Sequence, residues 1–125
     1  MATKWLEFRM GGTEWTVLVG SVEEFPGLSE DEGYTDTNTS EIHIWEELKQ
    51  SRKVSVLIHE MLHASLSAPG GGGQFARIAK CPEDEAHDRE EAIVTHISPA
   101  LVEGLLSAKI LRAPRIKTKA EKSEP

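Results

Sequence analysis

Two runs of apolar residues interspersed with polar ones fill the first twenty positions. Residues 4–10 (Lys-Trp-Leu-Glu-Phe-Arg-Met) and 14–20 (Glu-Trp-Thr-Val-Leu-Val-Gly) are rich in aromatic and β-branched types, and Gly11-Gly12-Thr13 lies between them. This pattern predicts a β-hairpin with Trp5 and Trp15 as cross-strand core residues. Residues 21–40 carry Glu23, Glu24, Pro26-Gly27, Glu30, Asp31, Glu32, Gly33, Asp36 and Asn38. They read as a solvated acidic loop holding one helical turn. Polar and apolar residues alternate over Ser40–Trp45, which predicts a strand with Ile42 and Ile44 on one face and His43 on the other, at the surface.

Beyond Trp45 the period changes from two to that of a helix. Glu46–Lys53 is a polar approach in which Ser51 offers an N-cap. Residues 54–68 then place Val56, Leu57, Ile58, Met61, Leu62 and Leu66 around a helix with little polar surface, so it should be buried. Pro69 and Gly70–Gly73 must end it, and residues 74–84 connect onward. A second long helix is expected over 85–111, where Ile93, Val94, Ile97, Leu101, Val102 and Leu105 keep near-helical spacing and Pro99 marks a kink or break. The charged stretch 114–125 reads as a disordered tail. The expectation is one α+β domain over 1–113. In it a small antiparallel sheet, the N-terminal hairpin plus an edge strand near 40–45, packs on the two helices.

Charge and composition narrow the function classes. A net charge of −7 over 125 residues argues against a general nucleic-acid binder. No stretch is long and apolar enough for a membrane span, and the first residues lack the apolar core of a signal peptide. The single cysteine, Cys81, excludes an intramolecular disulfide and reads as a loop thiol. Together these features point to the cytoplasm.

The chemistry sits inside the buried helix, at His59-Glu60-Met61-Leu62-His63. Histidines four apart share one helix face, so their imidazoles can grip a single Zn²⁺ while Glu60 reaches a water beside it. An unpartnered His-Glu-His set in an apolar helix would be costly, and a metal removes that cost. A catalytic zinc takes a third protein ligand. Candidates are His87, Glu90, Glu91 and His96, all on the second helix, and periodicity alone places Glu90 nearest the centre of the apolar stripe.

This H-E-x-x-H, followed by a second helix opening with Glu90-Glu91, resembles a minimal gluzincin, the thermolysin-type zinc peptidases. More narrowly, residues 33–106 are similar to the small ImmA/IrrE-like metallopeptidases and their phage-encoded relatives. The resemblance implies a zincin-like fold, one Zn²⁺ per chain, and a bacterial or phage-infected host cell. It favours Glu91 as third ligand, because Val94, Ile97, Ser98 and Leu101 follow it at the family's offsets, whereas Glu90 would put His96 at an apolar position. Where thermolysin-type enzymes carry a supporting carboxylate four residues after the glutamate, this chain has Thr95. The implied activity is hydrolysis of peptide bonds in a protein substrate held along strand 40–45. His59, His63 and Glu91 would be ligands, Glu60 the general base, and Tyr34, His87 or His96 the donor to the oxyanion. Two rival readings are a zinc-stabilised binding module closed by His87 or Cys81, and a metal-free domain with core histidines.

Overall fold

The computed structural model of the protein describes residues 2–67, 77 and 79–108. Thr3–Met10 (β1) and Thr13–Gly20 (β2) form the antiparallel hairpin. Met10 pairs with Thr13, so Gly11 and Gly12 alone make the turn, at φ 62° and 80°. A two-residue type I′ turn needs positive φ at both positions, which glycine supplies without strain. Trp15, Val17 and Val19 face the core. Opposite Trp15 stands Phe8 rather than Trp5, because the two-residue turn fixes that register; Trp5 lies where the register shifts, between Lys4 and Leu6.

The acidic stretch holds more structure than a loop. A 3₁₀ turn covers Pro26–Ser29, and Gly33–Asp36 is a strand (β3). Asp36 Oδ1 accepts the backbone N–H of Asn38 at 2.9 Å and of Thr39 at 3.3 Å, which turns the chain back into Glu41–Trp45 (β4). Strand order is β1-β2-β4-β3, with β4 parallel to β2 and antiparallel to β3. The sheet is therefore mixed rather than antiparallel, and residues 41–45 form an interior strand. The edge beyond the hairpin belongs to β3. Tyr34 and Thr35 favour strands but Gly33 and Asp36 at either end do not, so β3 carries only a two-residue propensity signal inside an acidic, turn-rich stretch. It is held by pairing to β4 and by packing on the helix above.

That helix, Gln50–Ser67 (α1), begins one residue before Ser51. Lys49 carbonyl accepts the bond from Lys53 N–H at 2.9 Å, so Ser51 lies inside the first turn and is not the N-cap. Lys53 is buried, and its amine donates to the Leu48 carbonyl, tying the start of α1 to the turn after β4. Val56, Leu57 and Ala64 pack on Trp15, Val17, Val19, Ile42 and Ile44, the main core cluster.

Glu83–Ser107 (α2) packs on α1 and stays helical through Pro99. Three acidic residues, Glu83, Asp84 and Glu85, occupy its first turn, where the helix dipole favours them. Its buried face is Val94, Ser98 and Val102, whereas Ile93, Ile97 and Leu101 are at least 40% exposed. Of the expected apolar stripe, Val94 and Val102 do face inward, while Ile93, Ile97 and Leu101 lie on the outer side; the face against α1 also includes the polar residues Glu91 and Ser98. The architecture is α+β, a four-stranded mixed sheet with two helices. Among the described residues no helix is long and apolar enough to cross a membrane. Residues 68–76 and 78, which include the glycines 70–73 and part of the connection 74–84, and residues 109–125, which include the end of the expected second helix and the tail 114–125, lie outside the described residues.

Candidate metal centre

Helical spacing puts His59 and His63 one above the other on α1, with ring centroids 5.0 Å apart. Both rings are turned toward α2, and Glu91 meets them there. His63 Nε2 lies 2.7 Å from Glu91 Oε2, and His59 Nε2 lies 3.2 Å from Glu91 Oε1. One ligand atom from each of the three residues falls within 4.8 Å of the others. Thr95 Oγ1 donates to Glu91 Oε1 at 3.2 Å and holds that carboxylate from one turn further on.

The opposite ring nitrogens are occupied elsewhere. His63 Nδ1 lies 2.7 Å from Glu90 Oε1, with both side chains largely buried. An ionised carboxylate only accepts, so Nδ1 carries the proton and Nε2 is left as the coordinating atom. His59 Nδ1 has a longer contact, 3.4 Å, to Ser98 Oγ. Glu90 and Glu91, adjacent in sequence, therefore do different work: one carboxylate orients His63 and the other faces its free nitrogen.

This arrangement suits a metal ion. With Nδ1 protonated, a second nitrogen 2.7 Å from another carboxylate oxygen requires either a second proton or a cation at that point. In the metal-free protein the surroundings favour the proton. Burial acts to lower the His63 pKa, but the Glu90 bond and the charges of Glu60, Glu91 and Glu90 outweigh it, and the pKa is raised. Burial likewise acts to raise the Glu91 pKa, but the two histidines hold it below its usual value. Two imidazoles and one carboxylate form a donor set that fits zinc.

Glu60 points the other way around α1, toward β3. Thr35 Oγ1 lies 2.8 Å from Glu60 Oε1 and 3.1 Å from its backbone carbonyl. Gly33 lies against the same side chain. A Cβ there would meet Val56 and would stand 3.1 Å from Glu60 Cγ and 3.3 Å from Oε2. Glycine lets the strand approach, and Thr35 supplies the donor. Burial is the main cause of a raised Glu60 pKa, opposed by the Thr35 bond and the histidines. A carboxyl raised toward neutrality is suited to accept and return a proton.

Other expected participants are elsewhere. Tyr34 is 44% exposed, and strand alternation turns it away from Gly33 and Thr35. Its ring lies 6.2 Å from His43 on the outer face of the sheet, beside Phe25. His96 is exposed on α2, five residues and so about 140° around the helix from Glu91. His87 is exposed near the start of α2, and neither it nor Cys81 joins the ligand cluster among the described residues. Thr35 and Gly33 were not legible because their strand was not. Ser98 left a trace, as a polar residue seven positions after Glu91 on the same helix face. No family model, curated protein or solved structure matches the chain.

Proposed function

We propose that the protein is a zinc-dependent metallopeptidase of the gluzincin type, zincin-like in fold, that hydrolyses peptide bonds in a protein substrate. The observation that carries this reading is the convergence of one ligand atom each from His59, His63 and Glu91 within 4.8 Å, one residue along α1 from a buried glutamate. Zinc, when bound there, supplies Lewis-acid polarisation of a carbonyl and makes a water more acidic.

The chain's own residues do the remainder. Glu60 accepts the proton of the attacking water on the carboxylate held by Thr35, and then delivers it to the leaving nitrogen. Glu90 keeps the His63 proton on Nδ1, and Ser98 sits against His59 Nδ1. The free edge of β3, running past Glu60, offers backbone groups to an extended substrate segment, the role that sequence alone had given to residues 40–45.

The test is Glu60→Gln with zinc content and hydrolysis of an unfolded protein measured together. Zinc should stay at one per chain while hydrolysis falls by about 10²-fold or more, the usual contribution of a general base. Chelation should remove wild-type activity, and added zinc should restore it. Undiminished hydrolysis in the Gln variant would overturn the assignment.

A further inference from the structure

We propose that the cavity beside His59 is a specificity pocket that receives a lysine or arginine side chain of the substrate. This rests on the peptidase reading above and names the substrate class that reading leaves open. The cavity, about 640 Å³, opens between the segment leading into β3, the first half of α1 and the second half of α2. His59 and Ser98 form part of its wall, so it is continuous with the candidate metal centre. A substrate residue beside the scissile bond would therefore turn its side chain into it.

The walls and the rim differ in character. Val56, Val102 and Leu106 give apolar surface. Glu30, Asp31, Glu32 and Glu103 stand around them with one basic residue, Arg52, whose Nε is bonded to Glu32. Four carboxylates facing one guanidinium make the cavity strongly acidic. A side chain with a long aliphatic stem and a cationic head satisfies both parts: the stem lies on the valines and leucine, and the head reaches the carboxylates. A methionine would fill the walls and leave the rim unanswered, and a glutamate would be repelled. From His59 back to Arg52 is seven residues of helix, about 10 Å, enough for an extended arginine.

Binding and turnover separate this inference from the reading beneath it. Labelled peptides identical but for Lys, Arg, Met, Gln or Glu at one position are titrated into zinc-loaded Glu60→Gln protein by fluorescence anisotropy. The Lys and Arg peptides should bind about tenfold tighter than Met or Gln, the effect of two partly exposed ion pairs, and Glu should bind weakest. The double variant Glu30→Lys, Glu103→Lys changes two exposed residues and should reverse the order. Glu103→Gln alone should reduce the preference and serves if the double variant does not fold. Equal binding of all five peptides overturns the pocket assignment while leaving the peptidase reading intact. Failure of zinc-loaded wild type to cut any peptide overturns the peptidase reading, whatever the binding order.

Discussion

Two of the histidine–glutamate contacts among the described residues look alike taken singly. On the outer face of the sheet, His43 Nε2 lies 2.9 Å from Glu41 Oε1; between the helices, His63 Nδ1 lies 2.7 Å from Glu90 Oε1. Each histidine side chain is 12% exposed. Burial and a carboxylate partner are therefore common to both and cannot be what makes a metal site. The difference lies in the rest of each ring. His43 stacks flat on Phe25, with centroids 4.0 Å apart. His63 turns its second nitrogen toward another carboxylate and another imidazole. A His–Glu pair becomes chemically useful when the remaining nitrogen has company of the right kind.

The sharpest way to break this comparison is to remove each ring in turn. His63→Ala should lower zinc affinity by more than about 100-fold, beyond the loss typical of removing a supporting residue. His43→Ala should leave zinc affinity unchanged, because its ring lies across the sheet from the cluster. Competition with a chelating dye reads both. Equal losses would mean that the outer pair binds the metal, or that both changes act through stability alone.

A smaller effect is expected from the carboxylates. Glu90→Ala should cost about 10- to 100-fold in zinc affinity by freeing the His63 ring, with Glu90→Gln in between. Glu41→Ala should cost nothing in zinc affinity. If Glu90→Ala bound zinc as tightly as wild type, the bond at His63 Nδ1 would be a packing contact only.

How much of this was legible in the sequence follows from what each element depends on. The hairpin was, since Gly11-Gly12 between two apolar-rich runs is a local signal. So was α1, whose apolar periodicity and H-E-x-x-H spacing are both local. β3 was not: in Gly33-Tyr34-Thr35-Asp36 only the middle two residues favour a strand, and its place is set by β4 and by contact with Glu60, neither of which adjacent residues reveal. Missing β3 cost the sheet its true edge and hid Thr35; the parallel pairing of β4 with β2, which makes the sheet mixed, has no local signal either. On α2 the expected stripe was half right: Val94 and Val102 are buried, whereas Ile93, Ile97 and Leu101 lie on the exposed side. Two of the residues that face α1, Glu91 and Ser98, are polar and contact the histidines, and a polar residue in an inward position lowers the signal by which inward positions are found.

The smallest expected effect is a difference in the sign of a pH slope, and it bears on what balances charge at His63. Its pKa is raised in the metal-free protein, by the Glu90 bond and neighbouring carboxylates against the effect of burial. A raised basic group stabilises the fold fully below its unfolded value, about 6.5, and loses that contribution as pH rises through the folded value. Glu60, also raised, acts in the same direction at lower pH, and Glu91, lowered, contributes above about 4.3 and loses it on acidification. Between pH 6 and 8 the metal-free protein should therefore melt at lower temperature as pH rises, by about 4 °C or less. Zinc must displace the proton on His63 Nε2, so its stabilisation should grow over the same window. The gap between zinc-loaded and metal-free melting temperatures should widen from pH 6 to pH 8, and His43→Ala should not alter that widening. A gap constant with pH would show that no proton leaves when zinc arrives. The carboxylates of Glu90 and Glu91 would then not be what holds His63 in its charged form.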